Sequence, residues 1–297
     1  MKKFLLAVLI GGFSTIVTAQ DEDLLKKLED SSGTSVKVTG AFKSTRVINA
    51  HSLEMLRKGT LDTRILHRFG LVNNGIDQLF GLDQASMRLG FDYGISNNLM
   101  VGFGRSTLRK ELDLFVKARL LQQSTGQKAV PLSILVAAGM LVTTQKTFSN
   151  PEPGFSDRSS WYIQLIAGRK FSDRFSLQLS PIFLYSNTPF NGKGDKSQFA
   201  PGVGARYKIN KRLALTIDYH HPVMDMDSAF SNPLSVGLDI ETGGHVFQLH
   251  FSNAAGMNER AYINETTGDF LKGDIRFGFN LSRIFQVAGK KKRLTSY

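Results

Sequence analysis

From about residue 61 onward, hydrophobic and polar positions alternate with a period of two, and turn-forming residues interrupt the pattern at regular intervals. In Ala85–Tyr93, Met87, Leu89, Phe91 and Tyr93 fall on one face and Arg88, Gly90 and Asp92 on the other. Leu112, Leu114, Val116 and Ala118 oppose Asp113, Phe115, Lys117 and Arg119 in the same way. Further along, Phe199, Val203, Ala205 and Tyr207 oppose Gly202, Gly204, Arg206 and Lys208. One face suits hydrocarbon and the other suits water. The pattern predicts strands at 61–71, 84–94, 99–107, 111–121, 130–144, 160–171, 175–186, 197–209, 213–221, 232–241, 245–252 and 274–285. Most are near the roughly 9 to 11 residues that a tilted strand needs to cross a bilayer. The expected fold class is all-β, an antiparallel transmembrane β-barrel of about 12 strands.

The connections test this reading independently, because such barrels alternate short periplasmic turns with longer outer loops. Every second connection is Ser96–Asn98, Gln122–Ala129, Ser172–Arg174, Asn210–Arg212 or Thr242–Gly244, and all but Gln122–Ala129 are tight turns rich in Asn, Asp and Gly. The intervening set holds the long loops 72–83, 145–159, 187–196, 222–231 and 253–273, with Thr107–Lys110 the short exception. A misread strand would have broken this parity.

The remaining segments divide the chain into a signal peptide (1–19), an arm or lumen plug (20–60), the barrel (61–285) and a basic tail (286–297). Met1-Lys2-Lys3, the apolar run from Phe4 and the small residues before Gln20 have the form of a secretory leader. Within the arm, Val36–Lys43 could add a strand, and a short helical stretch is expected around Ser52 to Arg57. A thirteenth strand would spoil the even count, so a periplasmic arm or a plug is preferred. No later stretch approaches the roughly 18 to 20 apolar residues of a spanning helix. The absence of cysteine rules out a disulfide-stapled exported fold.

Charge sharpens the picture. The chain carries 37 basic and 25 acidic residues, or 35 basic once Lys2 and Lys3 leave with the leader. Export makes nucleic acid an unsuitable partner, which leaves the lipid bilayer, lipopolysaccharide phosphates or small anionic solutes in a basic lumen. A last strand ending in Phe285 is the kind of signal the barrel-assembly machinery reads, although twelve residues follow it. No cofactor is called for. Alternation assigns Arg64, Arg68, Arg88, Lys117, Arg119, Lys170, Arg206, Lys208 and Arg276 to the lumen, with Asp62, Asp92, Asp113, Asp218, Asp239 and Glu241. The excess of basic groups reads either as an anion-preferring channel or as a lumen closed by interlocking pairs.

Certain segments resemble an uncharacterised family of outer-membrane β-barrel proteins from Gram-negative bacteria of the Bacteroidota type. They are His67-Arg68-Phe69-Gly70, Gly81-Leu82-Asp83, Arg88 to Ile95, Phe251-Ser252-Asn253 with Gly256-Met257, and the closing Gly278 to Phe285. The resemblance spans about 40–290 and implies an outer-membrane barrel with no known activity.

Two constellations are candidate chemistry. His250-Phe251-Ser252-Asn253 has a spacing similar to the catalytic strand of outer-membrane phospholipases, but alternation turns His250 and Ser252 inward, and Ala254 replaces the glycine of that family. Asp218 and His220 share a face and, with Asp225 and Asp227, could bridge a metal, although nothing fixes four ligands. Gly102-Phe103-Gly104-Arg105-Ser106-Thr107 lacks the Lys-Ser/Thr ending of a phosphate loop and sits inside a strand. The expected function is therefore a narrow, mildly anion-preferring channel or small-solute transporter. The alternatives are a closed binding or structural barrel acting through its outer loops and, last, a hydrolase.

Overall fold

The computed structural model describes residues 35–146, 152–188, 195–223, 230–242 and 245–289. The expected leader, residues 20–34 of the arm, Asp225, Asp227 and the tail from 290 lie outside them. Twelve strands form one closed antiparallel sheet. They are β1 (Thr60–Leu71), β2 (Ala85–Gly94), β3 (Leu99–Ser106), β4 (Glu111–Leu121), β5 (Ser133–Thr143) and β6 (Ser159–Lys170). Strand β7 comprises Phe175–Leu179 and Ile182–Ser186, and β8 comprises Ser197–Ala200 and Gly202–Lys208. The rest are β9 (Leu213–His220), β10 (Leu234–Thr242), β11 (His245–Ser252) and β12 (Arg276–Gln286). Each pairs with its sequence neighbour, and β12 pairs with β1, from Arg276↔Leu71 to Gln286↔Thr60, so no edge is left open.

The interruptions of β7 and β8 fall at Pro181 and Pro201, which have no N–H for the ladder. The sheet continues across them because the proline carbonyls still accept, from Leu165 N–H at 3.0 Å and from His221 N–H at 2.9 Å. Phe91, Phe103, Leu114, Val116, Trp161 and Ile163 stand exposed on the outer face, while their sequence neighbours Asp92, Gly102, Gly104, Asp113, Phe115, Tyr162 and Gln164 are buried inside. Among the described residues no helix is long and apolar enough to cross a membrane; a closed barrel with an apolar outer face is the other architecture that satisfies its backbone in lipid.

The turn end of the barrel holds both the entry of the arm at Gly59 and the exit of the last strand. The one turn-end connection that is not tight, between β4 and β5, has a purpose. Its Ser124–Thr125 pairs with Val36–Lys37, and Val38 N–H donates to Gln123 O at 2.8 Å, which ties the arm to the rim. Only these two residues of Val36–Lys43 are strand.

From Gly40 to Leu56 the arm lies within the barrel. Phe42, Val47, Leu53 and Leu56 join a buried cluster with Phe115, Leu135, Tyr162, Ile166 and Leu184 of the wall. The helix expected around Ser52 to Arg57 is absent. The carbonyls of Leu53 and Glu54, which would accept within a helix, instead accept from the Arg119 guanidinium and the Lys117 ammonium. From the opposite end, the loop after β11 folds inward and carries a buried helix, α1 (Glu259–Asn264), capped by Asn258, whose side chain accepts from Ala261 N–H.

Candidate functional site

The arm turns back on itself at residues 47–50. Arg46 and His51 form an antiparallel bridge, Val47 N–H donates to Ala50 O at 2.8 Å, and Ser52 N–H donates to Thr45 O at 3.0 Å. Such irregular backbone has few internal partners and can be buried only if the wall supplies them. The Asp218 Oδ2 carboxylate oxygen accepts from the N–H groups of Ile48, Asn49 and Ala50 at 3.3, 2.8 and 2.9 Å. Gln248 donates to Val47 O at 2.7 Å, Asn280 to Ile48 O at 3.2 Å and Gln178 to His51 O at 2.7 Å. The Lys117 ammonium donates to Thr45 O at 3.2 Å and Glu54 O at 2.8 Å.

Arg64, Arg68, Arg88, Asp92, Lys117, Arg206, Asp218 and Asp239 all point into this filled lumen and are buried; Arg119, Lys208 and Arg276 are half-buried nearer its ends. Several pair as interlocking ions. Arg64 meets Asp62 at 2.5 Å and Asp92 at 3.7 Å, Arg88 makes a two-pronged contact with Asp113, and Arg206 meets Asp239 and Glu241 at 3.4 and 3.3 Å. The others address the inserted segments. Arg68 donates to Ala254 O at 2.8 Å and Asn49 Oδ1 at 3.1 Å and meets His250 Nε2 at 3.0 Å.

Three glycines of the inward face lie against the arm. A Cβ on Gly204 would lie 2.9 Å from Val47 Cγ2, one on Gly237 3.2 Å from Ile48 Cδ1, and one on Gly94 2.1 Å from Arg57 O. At these three positions the room left by the missing side chain is taken by the arm.

The two inserted segments meet at Glu259, whose Oε1 lies 2.7 Å from Arg46 Nη1 and 3.3 Å from His51 Nε2. Although burial opposes its charge, the Glu259 carboxylate holds the Arg46 guanidinium above its ordinary value. Burial, then the nearby Arg46, Lys117, Arg64 and Arg88, push His51 well below its usual range, so its imidazole is neutral and bonds Tyr162 OH at 3.1 Å. Toward the loop end, Arg260 pairs with Glu111 and lies 3.1 Å from Glu265, which Arg109 approaches at 3.0 Å. Sequence reasoning missed Arg46, His51, Glu111, Glu259, Arg260 and Glu265. The only available signal was the helical Asn258–Asn264 stretch inside the longest loop, because Arg46 and Glu259 lie 213 residues apart.

Neither candidate for chemistry assembles. His250 and Ser252 face the lumen and are buried. His250 Nε2 is turned to Arg68, while the Ser252 hydroxyl accepts from Ser235 at 2.7 Å and from Ala254 N–H at 3.1 Å. Asn253 accepts from Leu234 N–H and donates to Asn232 O and Gly268 O, holding the base of the inward loop. Asp218 is occupied by the tip of the arm, with His220 Nδ1 3.5 Å away. Among the described residues no group of three or more His, Cys, Asp or Glu side chains is arranged to hold a metal ion.

These features define a class: a closed membrane β-barrel of twelve strands whose lumen is occupied from both ends. The chain belongs to the family described as Membrane bound beta barrel domain (DUF5777), whose model matches residues 42–285. That match takes in the inserted part of the arm as well as the strands. Among solved structures the chain is similar to the NanC porin, at 8% identity with a TM-score of 0.49, over 75% of this chain and 98% of that one. It is similar to an outer membrane channel from Pseudomonas putida F1, at 11% identity and a TM-score of 0.48, over 78% and 97% of the two chains. A third likeness is the outer membrane protein Omp33 of Acinetobacter baumannii, at 9% identity and a TM-score of 0.44, over 77% and 99%. Likeness at this level compares one barrel with another and transfers no cargo. No curated protein matches the chain.

Proposed function

We propose that the protein is an outer-membrane passage for small solutes, closed in its resting state by the arm and the inward loop. One observation carries this reading. The lumen is filled by inserted segments and not by the side chains of the wall alone. A barrel of about eight strands is already narrow enough for side chains to fill, so twelve strands enclose a wider bore than a purely structural barrel requires. A vestibule of about 700 Å³ remains below the closure at the turn end, lined among others by Glu54, Arg57, Asp62 and Tyr93.

The mild anion preference belongs to the opened state. When the arm leaves, Lys117 and Arg119 lose the carbonyl oxygens that now hold them, Arg68 loses Asn49 Oδ1 but keeps Ala254 O, and Asp218 loses its three N–H groups, whereas Asp62, Asp92, Asp113 and Asp239 keep their arginine partners. With Lys170, Lys208 and Arg276 counted, nine inward bases then exceed the seven inward acids Asp62, Asp92, Glu111, Asp113, Asp218, Asp239 and Glu241, and this slight excess focuses a field that favours anions.

Single-channel recording in a planar bilayer tests the proposal on the full chain and on a variant with residues 41–56 replaced by a glycine-serine linker of equal length. Rare openings in the first and steady, anion-favouring conductance in the second are expected. A variant that folds and stays silent overturns the passage and directs attention to a closed barrel working through its outer loops.

A further inference from the structure

The two ends of the barrel differ in how their surface charge is balanced. At the loop end, exposed Asp77, Asp83, Glu152, Asp157 and Asp195 are matched by Lys110, Lys146, Lys196 and Lys272. At the turn end, exposed Lys128, Arg169, Arg174, Lys211, Arg212 and Arg283 face a single exposed acid on the turns, Asp173, which lies 3.5 Å from Lys170. None of those six cations has an ion-pair partner among the described residues.

Several of them sit where the lipid-facing wall ends. The Arg169 guanidinium lies over the Phe171 ring, with Cζ 5.7 Å from its centroid, and Arg283 lies over Phe285 at 4.9 Å. Phe171 and Phe175 approach within 5.8 Å, and Phe175 is paired in register with the outward Tyr207. Arg174 is held beside this aromatic group, its carbonyl accepting from Lys208 N–H at 2.7 Å, and Lys211 and Arg212 lie on the next turn of the same rim. Aromatic side chains settle at the boundary between acyl chains and headgroups. An arginine laid over such a ring places its guanidinium at the level of the lipid phosphates, whose oxygens its forked donors match.

We propose that the turn-end rim around Phe171, Phe175 and Tyr207 is a binding surface for anionic phospholipid headgroups of the periplasmic leaflet, held by Arg169, Arg174, Lys211 and Arg212. The proposal rests on the membrane placement of the turn end and not on whether the lumen opens, so conductance and lipid selectivity fail independently.

Native mass spectrometry of the full chain, released from nanodiscs of equal parts phosphatidylglycerol and phosphatidylcholine, is the test. The folded barrel is expected to retain phosphatidylglycerol over phosphatidylcholine by at least about fivefold, the effect of one basic group at an anionic surface. R169Q/R174Q/R212Q is expected to retain the two lipids nearly equally, while K110Q/K196Q at the loop end keeps the preference. Raising salt to about 1 M, where the screening length falls to about 3 Å, weakens retention by the native chain. Equal retention by the native chain, or a preference that survives the triple substitution or is lost in the loop-end pair, overturns the proposal. In a parallel nanodisc, a preference for lipid A phosphates that the same triple substitution removes would also overturn it, because those belong to the opposite leaflet.

Discussion

Asp218→Asn leaves the size of the side chain unchanged and removes its charge at the point where the arm is most tightly held. The Asp218 carboxylate accepts three backbone N–H groups, at 2.8 and 2.9 Å from Asn49 and Ala50 and at 3.3 Å from Ile48. A hydrogen bond to a charged group contributes roughly 1.5 to 3 kcal/mol and a neutral one about 1 kcal/mol. If the two short bonds each lose about 1 kcal/mol and the long one about half of that, the tip is loosened by about 2 to 3 kcal/mol. At about 1.4 kcal/mol per factor of ten, the undocked population of residues 45–53 rises roughly 30- to 150-fold. Amide hydrogen exchange of the folded variant reads this directly, since protection in 45–53 falls by that factor while the β5 and β6 strands keep theirs. Unchanged protection of 45–53 would refute the anchoring role. Equal loss of protection in every strand would refute it too, because the aspartate would then support the barrel and not the docked arm.

Glu259→Gln leaves the buried Arg46 without its counter-charge, a change worth about 3 kcal/mol, and is expected to speed exchange in both 45–53 and 258–266; an effect confined to one segment refutes the coupling. Burial outweighs the neighbouring Arg260 and Arg109 and, with Glu111 adding to it, raises the Glu265 carboxyl to about 7. A carboxyl whose pKa is raised by folding favours the docked loop most fully below its unfolded value of about 4.5, and this contribution is lost as pH rises toward 7. Protection of 258–266 is therefore expected to be higher at pH 5.5 than at pH 8, with the difference removed by Glu265→Gln; a pH-independent native loop contradicts this. Gly94→Ala sets a Cβ 2.1 Å from the Arg57 carbonyl oxygen, a backbone atom that cannot step aside. It is expected to cost about 1 to 3 kcal/mol and to lower the midpoint of the heat-induced gel shift, and an unchanged midpoint speaks against the tight entry of the arm. Ser252→Ala removes the hydroxyl that bonds Ser235 and is expected to leave fatty-acid release from phospholipid vesicles at the background of the native chain; any release that falls with this substitution revives the hydrolase reading.

The strands were legible because a lipid solvent on one side forces every second residue to be apolar, and because turn and loop lengths alternate with the side of the membrane. Lipid solvates no polar group, so the outward face of β2 or β4 carries an unambiguous message. The inward face does not. Lys117 has the same identity whether it lines water or bonds the carbonyls of Thr45 and Glu54, and Gly204 is small whether it borders solute or Val47. The helix expected around Ser52 to Arg57 failed for a related reason: the carbonyls of Leu53 and Glu54 are taken by the wall.

The imbalance among the inward charges nevertheless held information that could be decoded only with the arm in place. Arg64, Arg88 and Arg206 account for Asp62, Asp92, Asp113, Asp239 and Glu241. Asp218 and Glu111 remain as acids without a basic partner in the wall, Asp218 meeting three N–H groups of the arm and Glu111 meeting Arg260 and Asn258 of the inward loop; Arg68, Lys117 and Arg119 remain among the unpaired bases, and they meet carbonyl or amide oxygens of the inserted segments. Charges left over after the wall has paired with itself are what irregular backbone requires when it is buried away from water, because it offers both donors and acceptors and belongs to no ladder. An open pore would leave the same residues to hydration and would set no demand on their sign at particular depths. Here Asp218 lies at the N–H groups of the turn, and Lys117 and Arg119 lie at carbonyls on either side of it. The wall is therefore complementary to this arm in this docked position, and the closed state is part of what the barrel is built to hold.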